Sequence, residues 1–180
     1  WRALHAAASV WGVREAGRLI AQGAVGDYGS CATVAKMVVA PERQGTGLGR
    51  RVLEELMAPA RARGVGLGLC ATEQGRLLYE KAGFARSGEI VVLVGQTTSS
   101  AAPSAIASLE DASAACAVER RFMACDRSRM LAARWVESSA AVHLDGDIGF
   151  AMATPADGGA VLGPVIAESE DAARELVLSV

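Results

Sequence analysis

The sequence predicts a mixed α/β (α+β) fold in two parts, and three observations lead to this prediction. The first half alternates apolar, β-branched stretches with segments of helical periodicity. A run of small and polar residues, Gln96 to Ser108, then interrupts the pattern and is typical of a linker. After it, strand, turn, strand, strand and helix patterns recur, which indicates a degenerate repeat. We therefore expect domains at 1–95 and 109–180, joined by a linker at 96–108.

The first domain should open with three strands. "ASVWGVRE" and "LIAQGAVGDY" alternate around "AGR", which favours a hairpin, and "CATVAKMVVA" follows. Pro41 should end this third strand, because proline cannot donate to a sheet ladder.

Helical spacing of apolar residues predicts a helix over residues 50–63. Pro59 should kink or shorten it, and Gly64 is a natural stop. "VGLGLCAT" then predicts a strand, "EQGRLLYEKAG" a helix closed by Gly83, and "FARSGEIVVLVG" a further strand or hairpin.

The second domain begins with the acidic stretch "LEDAS" and continues with a helical segment, "CDRSRMLAARWVE". "AAVHLDGDIGFAMAT" has apolar runs on both sides of Asp-Gly, which strongly predicts a hairpin. "GAVLGPVIA" predicts another strand and "ESEDAARELVLSV" another helix, so the second copy of the pattern is incomplete.

Composition excludes several classes of protein. The 180 residues are 51% hydrophobic and carry a net charge of −2, which gives no general reason to expect a nucleic-acid partner. No apolar run has membrane-spanning length, and the N-terminus lacks the layout of a signal peptide. The four cysteines show no metal-type spacing with His5 or His143, so we expect free thiols, no metal and a cytoplasmic protein. Because the sequence begins with Trp1 rather than Met, we expect a fragment.

The stretch "VVAPERQGTGLGRRVLEEL" places three glycines and three arginines between a strand and a helix. The first turn of a helix has N–H groups without an intrahelical partner, and the helix dipole adds positive potential there. Glycines at 45, 47 and 49 allow positive φ and close approach to the backbone, and Arg43, Arg50 and Arg51 add mobile charge. This pattern predicts a site for a phosphate or a diphosphate.

Two familiar phosphate-binding motifs do not fit this turn. It lacks the Lys-Ser/Thr of a P-loop, and its glycines at every second position do not match G-x-G-x-x-G. Gln44-x-x-Gly47-x-Gly49 after a strand instead resembles the acetyl-coenzyme A motif of the GNAT superfamily of N-acetyltransferases. The resemblance implies a mostly antiparallel mixed sheet flanked by helices. It also implies that the diphosphate is bound by the main-chain N–H groups of Gln44, Gly45, Thr46, Gly47, Leu48, Gly49 and Arg50. The pantetheine arm would pair with the main chain of Met37, Val38 and Val39.

"LLYEKAGF" supports the resemblance, because Tyr79-x-x-x-Gly83-Phe84 is similar to the later GNAT segment that passes the thioester sulfur. Together with Thr72 and Gly75, it resembles a bacterial subgroup in which a second acetyltransferase-like domain follows. The family's usual first strand and first two helices are absent here, so we expect the N-terminal part of the first domain to be missing. Tyr79 is the candidate general acid for the leaving thiolate, since a phenol is protonated at neutral pH. The alternative is a tyrosine whose ring packs in the core and whose hydroxyl stays in water.

No general base is assigned from the sequence. Each candidate could instead be a solvated surface carboxylate or a structural histidine, and an ordered water could serve equally. The candidates are Glu15, Asp27, Glu73, His5 and His143. Cys70 ends a strand, where a small buried hydrophobe is the usual role, so we expect direct attack by the amine rather than a covalent enzyme intermediate.

The second domain is expected to have lost cofactor binding. Its strand-to-helix turn contains Glu168, Glu170 and Asp171 and no glycine, so the protein's own charge occupies the helix N-terminus. Asp126 should cap the helix that follows it, and Arg127 either faces an acceptor cleft or is a solvated charge. We expect this domain to shape the acceptor pocket or to dimerise.

These features together predict an acetyl-CoA-dependent N-acetyltransferase that acts on a small amine or an amino acid. The alternatives are a non-catalytic module that binds or senses acyl-CoA and a nucleotide-binding module that uses the same turn. A homodimer is compatible with the sequence, and the acceptor amine has no sequence signature.

Overall fold

The protein is described here by a computed structural model, which covers residues 8–92, 94–96, 106–144, 146 and 148–180. The chain divides into two compact units, Ala7–Leu93 and Val94–Val180, which we call the N-terminal unit and the C-terminal unit. None of the described helices combines the length and the apolar character that crossing a bilayer would take.

The N-terminal unit contains a four-stranded sheet in the order β1-β2-β3-β4. Its strands are β1 (Ala8–Glu15), β2 (Arg18–Asp27), β3 (Cys31–Val39) and β4 (Gly66–Leu69). The first three pair antiparallel, whereas β3 and β4 pair in parallel. Ala16 and Gly17 both have positive φ, which suits the tight hairpin between β1 and β2. The prediction of a mixed and mostly antiparallel sheet is confirmed.

One helix, α1 (Leu48–Ala62), packs on this sheet, and a second, α2 (Glu73–Lys81), adds Leu78 and Tyr79 to the same core. The five apolar residues that predicted α1 are all buried: Val52, Leu53, Leu56, Met57 and Ala60. Pro59 does not shorten the helix, because it lies on the exposed face while Met57 and Ala60 hold the last turn in the core. Gly64 and Gly83 follow the two helices with φ of 66° and 95°, as expected for glycine at a helix end.

A β-bulge interrupts the pairing of β2 and β3. Gln22 pairs with Val38 and Ala24 with Ala35, so Gly23 faces two residues of β3. One of these, Lys36, has a left-handed φ of 54°. Directly beneath the bulge, α1 approaches so closely that a Cβ on Gly23 would lie 2.5 Å from Leu56 Cδ1. The glycine therefore lets the helix rest on the bulged part of the sheet.

The strand or hairpin predicted over residues 84–95 is wrong. The described residues of this segment form no strand, and Ile90, Val91 and Val92 are 72–83% exposed. High β-propensity favours a strand only when the backbone has a ladder partner. β4 is the edge of the sheet, and no residue of the segment pairs with it within the described part of the chain.

The C-terminal unit has an antiparallel sheet in the order β5-β6-β7-β8. Its elements, in chain order, are β5 (Ile106–Ser108), α3 (Ser113–Phe122), α4 (Ser128–Glu137), β6 (Ala140–Leu144), β7 (Gly149–Ala156), β8 (Gly159–Ala167) and α5 (Glu170–Val177). Of these, α3 was missed by the sequence analysis, and β5 lies inside the segment assigned to the linker. The hairpin of β6 and β7, the strand β8 and the helix α5 were predicted and are confirmed.

β7 forms the middle of the C-terminal unit and is buried on both faces. Phe150 and Met152 pack against Val118 of α3 and Leu131 of α4. Ala151, which points to the other face, packs with Ala172 and Leu176 of α5. The unit therefore has three layers, with the sheet between two layers of helix.

A buried ion pair joins α3 to the start of α4. Glu119 is 2% exposed, and Arg127 donates to its Oε1 from Nε at 2.9 Å and also from Nη2. Arg127 is therefore not the solvated charge that the sequence analysis considered. The expected capping by Asp126 is confirmed, since its Oδ1 accepts the N–H of Ser128 at 2.9 Å. This hydrogen bond holds the pKa of Asp126 below its usual value.

The C-terminal unit repeats the bulge of the N-terminal unit. Ala151 pairs with Val165 and Ala153 with Leu162, so Met152 faces Gly163 and Pro164. In both units one residue of a middle strand faces two residues of the next strand, and a helix follows that strand. This shared irregularity supports the interpretation of the second part as a degenerate copy of the first.

We predict that Gly23→Ala destabilises the N-terminal unit by about 1–3 kcal/mol, because the new methyl group overpacks the contact of α1 with the bulge. Gly66→Ala is the matched control, since a Cβ there meets no atom within 4 Å. Urea unfolding of both variants measures the difference. Equal stabilities of the two variants would contradict the packing described here.

Candidate active site

The strand β3 passes into α1 through a loop whose backbone needs two glycines. Residues Pro41–Arg43 form one turn of 3₁₀-helix, and α1 begins at Leu48 with Gly47 as its N-cap. Gly45 and Gly47 have φ of 75° and 84°, in the left-handed region that other residues avoid. A Cβ on either would meet no protein atom within 4 Å, so the space above both glycines is open.

The main-chain N–H groups of residues 45–50 form an unbroken row of unused donors. None of them donates to a main-chain or side-chain acceptor within the described residues, and the first N–H of α1 to find a partner is that of Arg51, which bonds to Gly47 O. Consecutive free N–H groups around left-handed residues form a concave nest for anions. The N-terminal end of the α1 dipole adds to the positive potential.

Two side chains hold the loop in this shape. Thr46 Oγ1 donates to Arg43 O at 2.6 Å, and Gln44 Nε2 donates to Val39 O at 3.3 Å. Both bonds use oxygen acceptors and leave the N–H row untouched. Gln44 and Thr46 therefore order the loop as well as contributing their own backbone to it.

The end of β3 offers a free strand edge next to this loop. β4 pairs with β3 only from Cys31 to Val34, so the edge beyond Val34 has no partner among the described strands. Ala40 donates its N–H to Ile20 O of β2, and the bonding direction alternates along a strand. Val39 and Met37 accordingly direct their main chains to the open edge, whereas Val38 faces Gln22 of β2. Of the three residues expected along the pantetheine arm, Met37 and Val39 therefore direct main-chain groups to this edge, and the carbonyl of Val39 already accepts Gln44 Nε2.

Only one of the three arginines near the loop is uncompensated. Arg43 pairs with Glu15, and Arg50 Nε contacts Glu54 Oε1 at 2.8 Å. Arg51 forms no ion pair with any described residue. The positive charge available to an anion thus comes from the backbone and from Arg51, rather than from all three arginines.

Tyr79 lies on α2, half-buried against the core beneath α1. Its ring meets the edge of Phe84 with centroids 6.1 Å apart and planes at 77°. Partial burial raises the pKa of the Tyr79 phenol above its ordinary value, because the anionic form is less well solvated there. The ring therefore packs as the structural alternative proposes, and its hydroxyl remains a protonated donor as the catalytic role requires.

A cleft of about 710 Å³ lies beside Tyr79. β4, the residues that follow it and the extended segment at 84–91 form its walls, and Cys70 and Glu80 are among the lining residues. No described residue of β3 lines it. The exposed position of Cys70 differs from the buried one expected from the sequence.

The candidate bases of the N-terminal unit are each held by an arginine. Glu15 pairs with Arg43, Asp27 Oδ2 with Arg63 at 2.7 Å and Glu73 Oε1 with Arg76 at 3.0 Å. The hydrogen bond from Arg63 holds the pKa of Asp27 below its usual value, which makes that carboxylate a weak base.

No histidine of the described residues lies in the N-terminal unit. His5 lies outside the described residues. His143 is on β6 of the C-terminal unit, where it pairs with Phe150. Glu80, on the cleft wall, was not singled out from the sequence, because nothing in a helical glutamate distinguishes it. In the described residues, no three side chains of the metal-binding types lie close enough to hold an ion.

The corresponding turn of the C-terminal unit is built differently. Ser169 is the N-cap of α5, and its side chain accepts the N–H of Ala172 at 3.2 Å. Glu170 and Asp171 lie in the first turn, and Glu168 pairs with Arg121. A protein hydroxyl and protein carboxylates thus compensate this helix N-terminus, which supports the expectation that the unit binds no diphosphate.

The fold and the site define an α/β unit that offers an anion-binding turn beside a free strand edge, followed by a second unit in which that turn is acidic. Family comparison agrees with this description. One model of the acetyltransferase (GNAT) domain matches residues 6–86, and a second model of the acetyltransferase (GNAT) domain matches residues 115–180. The chain therefore belongs to the GNAT superfamily of acetyltransferases and contains two GNAT-like units.

One solved structure supports the same fold. A candidate acetyltransferase from Pyrococcus horikoshii aligns over 91% of this chain with a TM-score of 0.71 and 19% identity. The present chain spans 57% of the length of that protein. A predicted acetyltransferase from Clostridium acetobutylicum, solved with acetyl-CoA, aligns over 47% of this chain and 62% of its own, with 25% identity and a TM-score of 0.42. No match is found among the curated proteins.

Proposed function

We propose that the N-terminal unit binds acetyl-CoA and transfers the acetyl group to a primary amine of a small molecule or an amino acid. The observation that carries the proposal is the row of six unused N–H groups at residues 45–50, in a chain of the GNAT superfamily. A row of neutral donors at a helix N-terminus suits a diphosphate, which the coenzyme contains. The open space above Gly45 and Gly47 gives such a group room to approach the backbone.

The remaining contacts follow from the free edge of β3. Val39 and Met37 direct main-chain groups to that edge, so the amide-containing arm of the coenzyme can pair with them as an added strand would. This arrangement lays the thioester along β3, away from the diphosphate. The coenzyme supplies the activated acetyl group, and the protein supplies its position.

Tyr79 is the proposed proton donor. In direct attack, the C–N bond forms as the C–S bond breaks, and the phenol gives its proton to the departing thiolate. The amine loses a proton to solvent, and the phenolate of Tyr79 regains a proton from solvent. No covalent intermediate on the protein is needed. Because the carboxylates of Glu15, Asp27 and Glu73 are engaged by arginines, an ordered water is the proposed acceptor of the amine proton.

The C-terminal unit is proposed to shape the acceptor pocket or to form a homodimer rather than to bind a second coenzyme. Its acidic turn argues against a second diphosphate site. We propose the cytoplasm as the compartment, since the described cysteines are all free, and we propose neither nucleic acid nor membrane as a partner.

Isothermal titration with acetyl-CoA and with ADP tests the cofactor. We expect acetyl-CoA to bind and ADP not to bind measurably. Gly47→Ala should weaken acetyl-CoA binding at least ten-fold, because the new methyl group enters the open space above the loop and disfavours its left-handed backbone. Gly29→Ala is the matched control: it has a φ of 79° and equally open surroundings, so it carries the same strain of about 1–2 kcal/mol, and it lies before the start of β3 whereas the loop follows the end of that strand.

Each outcome of the titration has a meaning. Absence of acetyl-CoA binding to a folded protein, or equal weakening in both glycine variants, would contradict the assigned site. Binding without release of free CoA across a panel of amines would favour a non-catalytic acyl-CoA sensor. Binding of ADP as tight as that of acetyl-CoA would favour a nucleotide-binding module.

Tyr79→Phe should lower kcat about 10²-fold or more and change the KM for acetyl-CoA less than two-fold, because the lost hydroxyl acts in the reaction and not in binding. The raised pKa of the phenol adds a pH signature. Protonated phenol is the active form, so kcat of the parent should fall only at a more alkaline pH than the one at which an ordinary phenol ionises. This alkaline fall should be absent in Tyr79→Phe. Unchanged kcat in the variant would remove the proposed role.

A further inference from the structure

Gly75 is the third residue of α2, a position where the backbone does not call for glycine. Its N–H donates to Thr72 at the helix N-cap, with distances of 3.0 Å to the main-chain oxygen and 3.3 Å to Oγ1. It is helical, not left-handed. Glycine inside a helix costs about 0.5–1 kcal/mol relative to alanine, so a different constraint must favour it here.

The aromatic ring of Tyr79 supplies that constraint. A Cβ on Gly75 would lie 3.0 Å from Tyr79 Cε2, which is tighter than carbon atoms normally pack, and 3.7 Å from Cζ, which is an ordinary contact. Residues 75 and 79 are one helical turn apart, and helical side chains lean toward the N-terminus of their helix. The ring thus extends back along α2 and lies over the bare backbone at position 75.

Two sets of contacts hold the ring of Tyr79 in this position. Phe84 meets Tyr79 edge to face, and the ring also packs on the core beneath α1. With these contacts already made, a methyl group at position 75 must displace the ring by a few tenths of an ångström. Because the ring leans toward the start of α2, this displacement acts on the phenol end, which bears the hydroxyl.

We propose that Gly75 is a positioning residue for Tyr79: it is kept free of a side chain so that the phenol lies against the first turn of α2, beside the point where β4 ends. The catalytic consequence rests on the proposed function of Tyr79. The geometric statement rests only on the contacts above. Gly75 therefore acts through the ring and contacts no reacting atom itself.

Kinetics of a graded series test the catalytic consequence. Gly75→Ala should lower kcat about three- to ten-fold and Gly75→Val more, with the KM for acetyl-CoA changed less than two-fold, since small displacements of a reacting group lower rate steeply. Melting temperatures should show that Gly75→Ala is folded, because alanine favours the helix. Gly66→Ala, where a Cβ meets nothing within 4 Å, should retain the parent kcat.

The same substitution in a Tyr79→Phe background separates positioning from a general loss of structure. If Gly75 acts through the hydroxyl of Tyr79, then Gly75→Ala should cause no further fall in kcat there. An equal fall in both backgrounds, or an unchanged kcat in Gly75→Ala alone, would overturn the catalytic consequence.

A ring-labelled NMR spectrum tests the geometry without any activity. The chain has two tyrosines, so Tyr28→Phe assigns the signal of Tyr79. Gly75→Ala should shift the Tyr79 ring resonances and leave those of Tyr28 in place, and Gly66→Ala should shift neither. Unshifted Tyr79 resonances would overturn the proposal. Shifted resonances in a protein that binds acetyl-CoA but transfers no acetyl group would support the positioning and contradict the proposed function alone.

Discussion

Six adjacent main-chain N–H groups, at the point where β3 turns into α1, have no acceptor among the described residues, and the candidate site depends on them. Unpaired N–H groups are costly when buried, but residues 45–47 are exposed and the space beside Gly45 and Gly47 is open. Both glycines have a left-handed φ. Thr46 and Gln44 fix the loop through oxygen acceptors, so nothing in the described protein consumes the donors. The site is thus ordered before any ligand arrives, which lowers the entropic cost of binding.

The packing beneath the loop determines where the N–H row points. Gly23 lets α1 lie directly on the β-bulge, and Val39 Cγ2 lies only 3.5 Å from where a Cβ on Gly49 would be. The end of β3 is open for a separate reason, because β4 ends at Leu69, opposite Val34, while β3 continues. The bulge therefore positions the helix, and the short β4 leaves the strand edge beside it open. The C-terminal unit retains the bulge but has an acidic turn in place of the glycine turn. The two units therefore share the fold without sharing the anion-binding turn.

The sequence predicted most of this fold because its signals are local. Alternation placed β1, β2 and β3, helical spacing placed α1, and the left-handed glycines of the loop were expected from their spacing. Non-local pairing could not be predicted: the apolar residues at 90–92 have strand composition but no ladder partner in the described part of the chain, and β5 is only three residues long. Likewise, Glu119 and Arg127 are ordinary helix-surface residues until the fold buries them together. The roles of Gly23 and Gly75 could not be predicted either, since each depends on a side chain brought close by packing.

Amide hydrogen exchange over residues 44–51 tests the central claim most directly, because it observes the donors themselves. In the free protein these N–H groups should exchange rapidly, as unshared surface donors do. Saturation with acetyl-CoA should slow exchange at residues 45–50, while the capped first turn of α5 should not change. Protection confined to other segments, with the 45–50 row still exchanging at its free rate, would contradict the account.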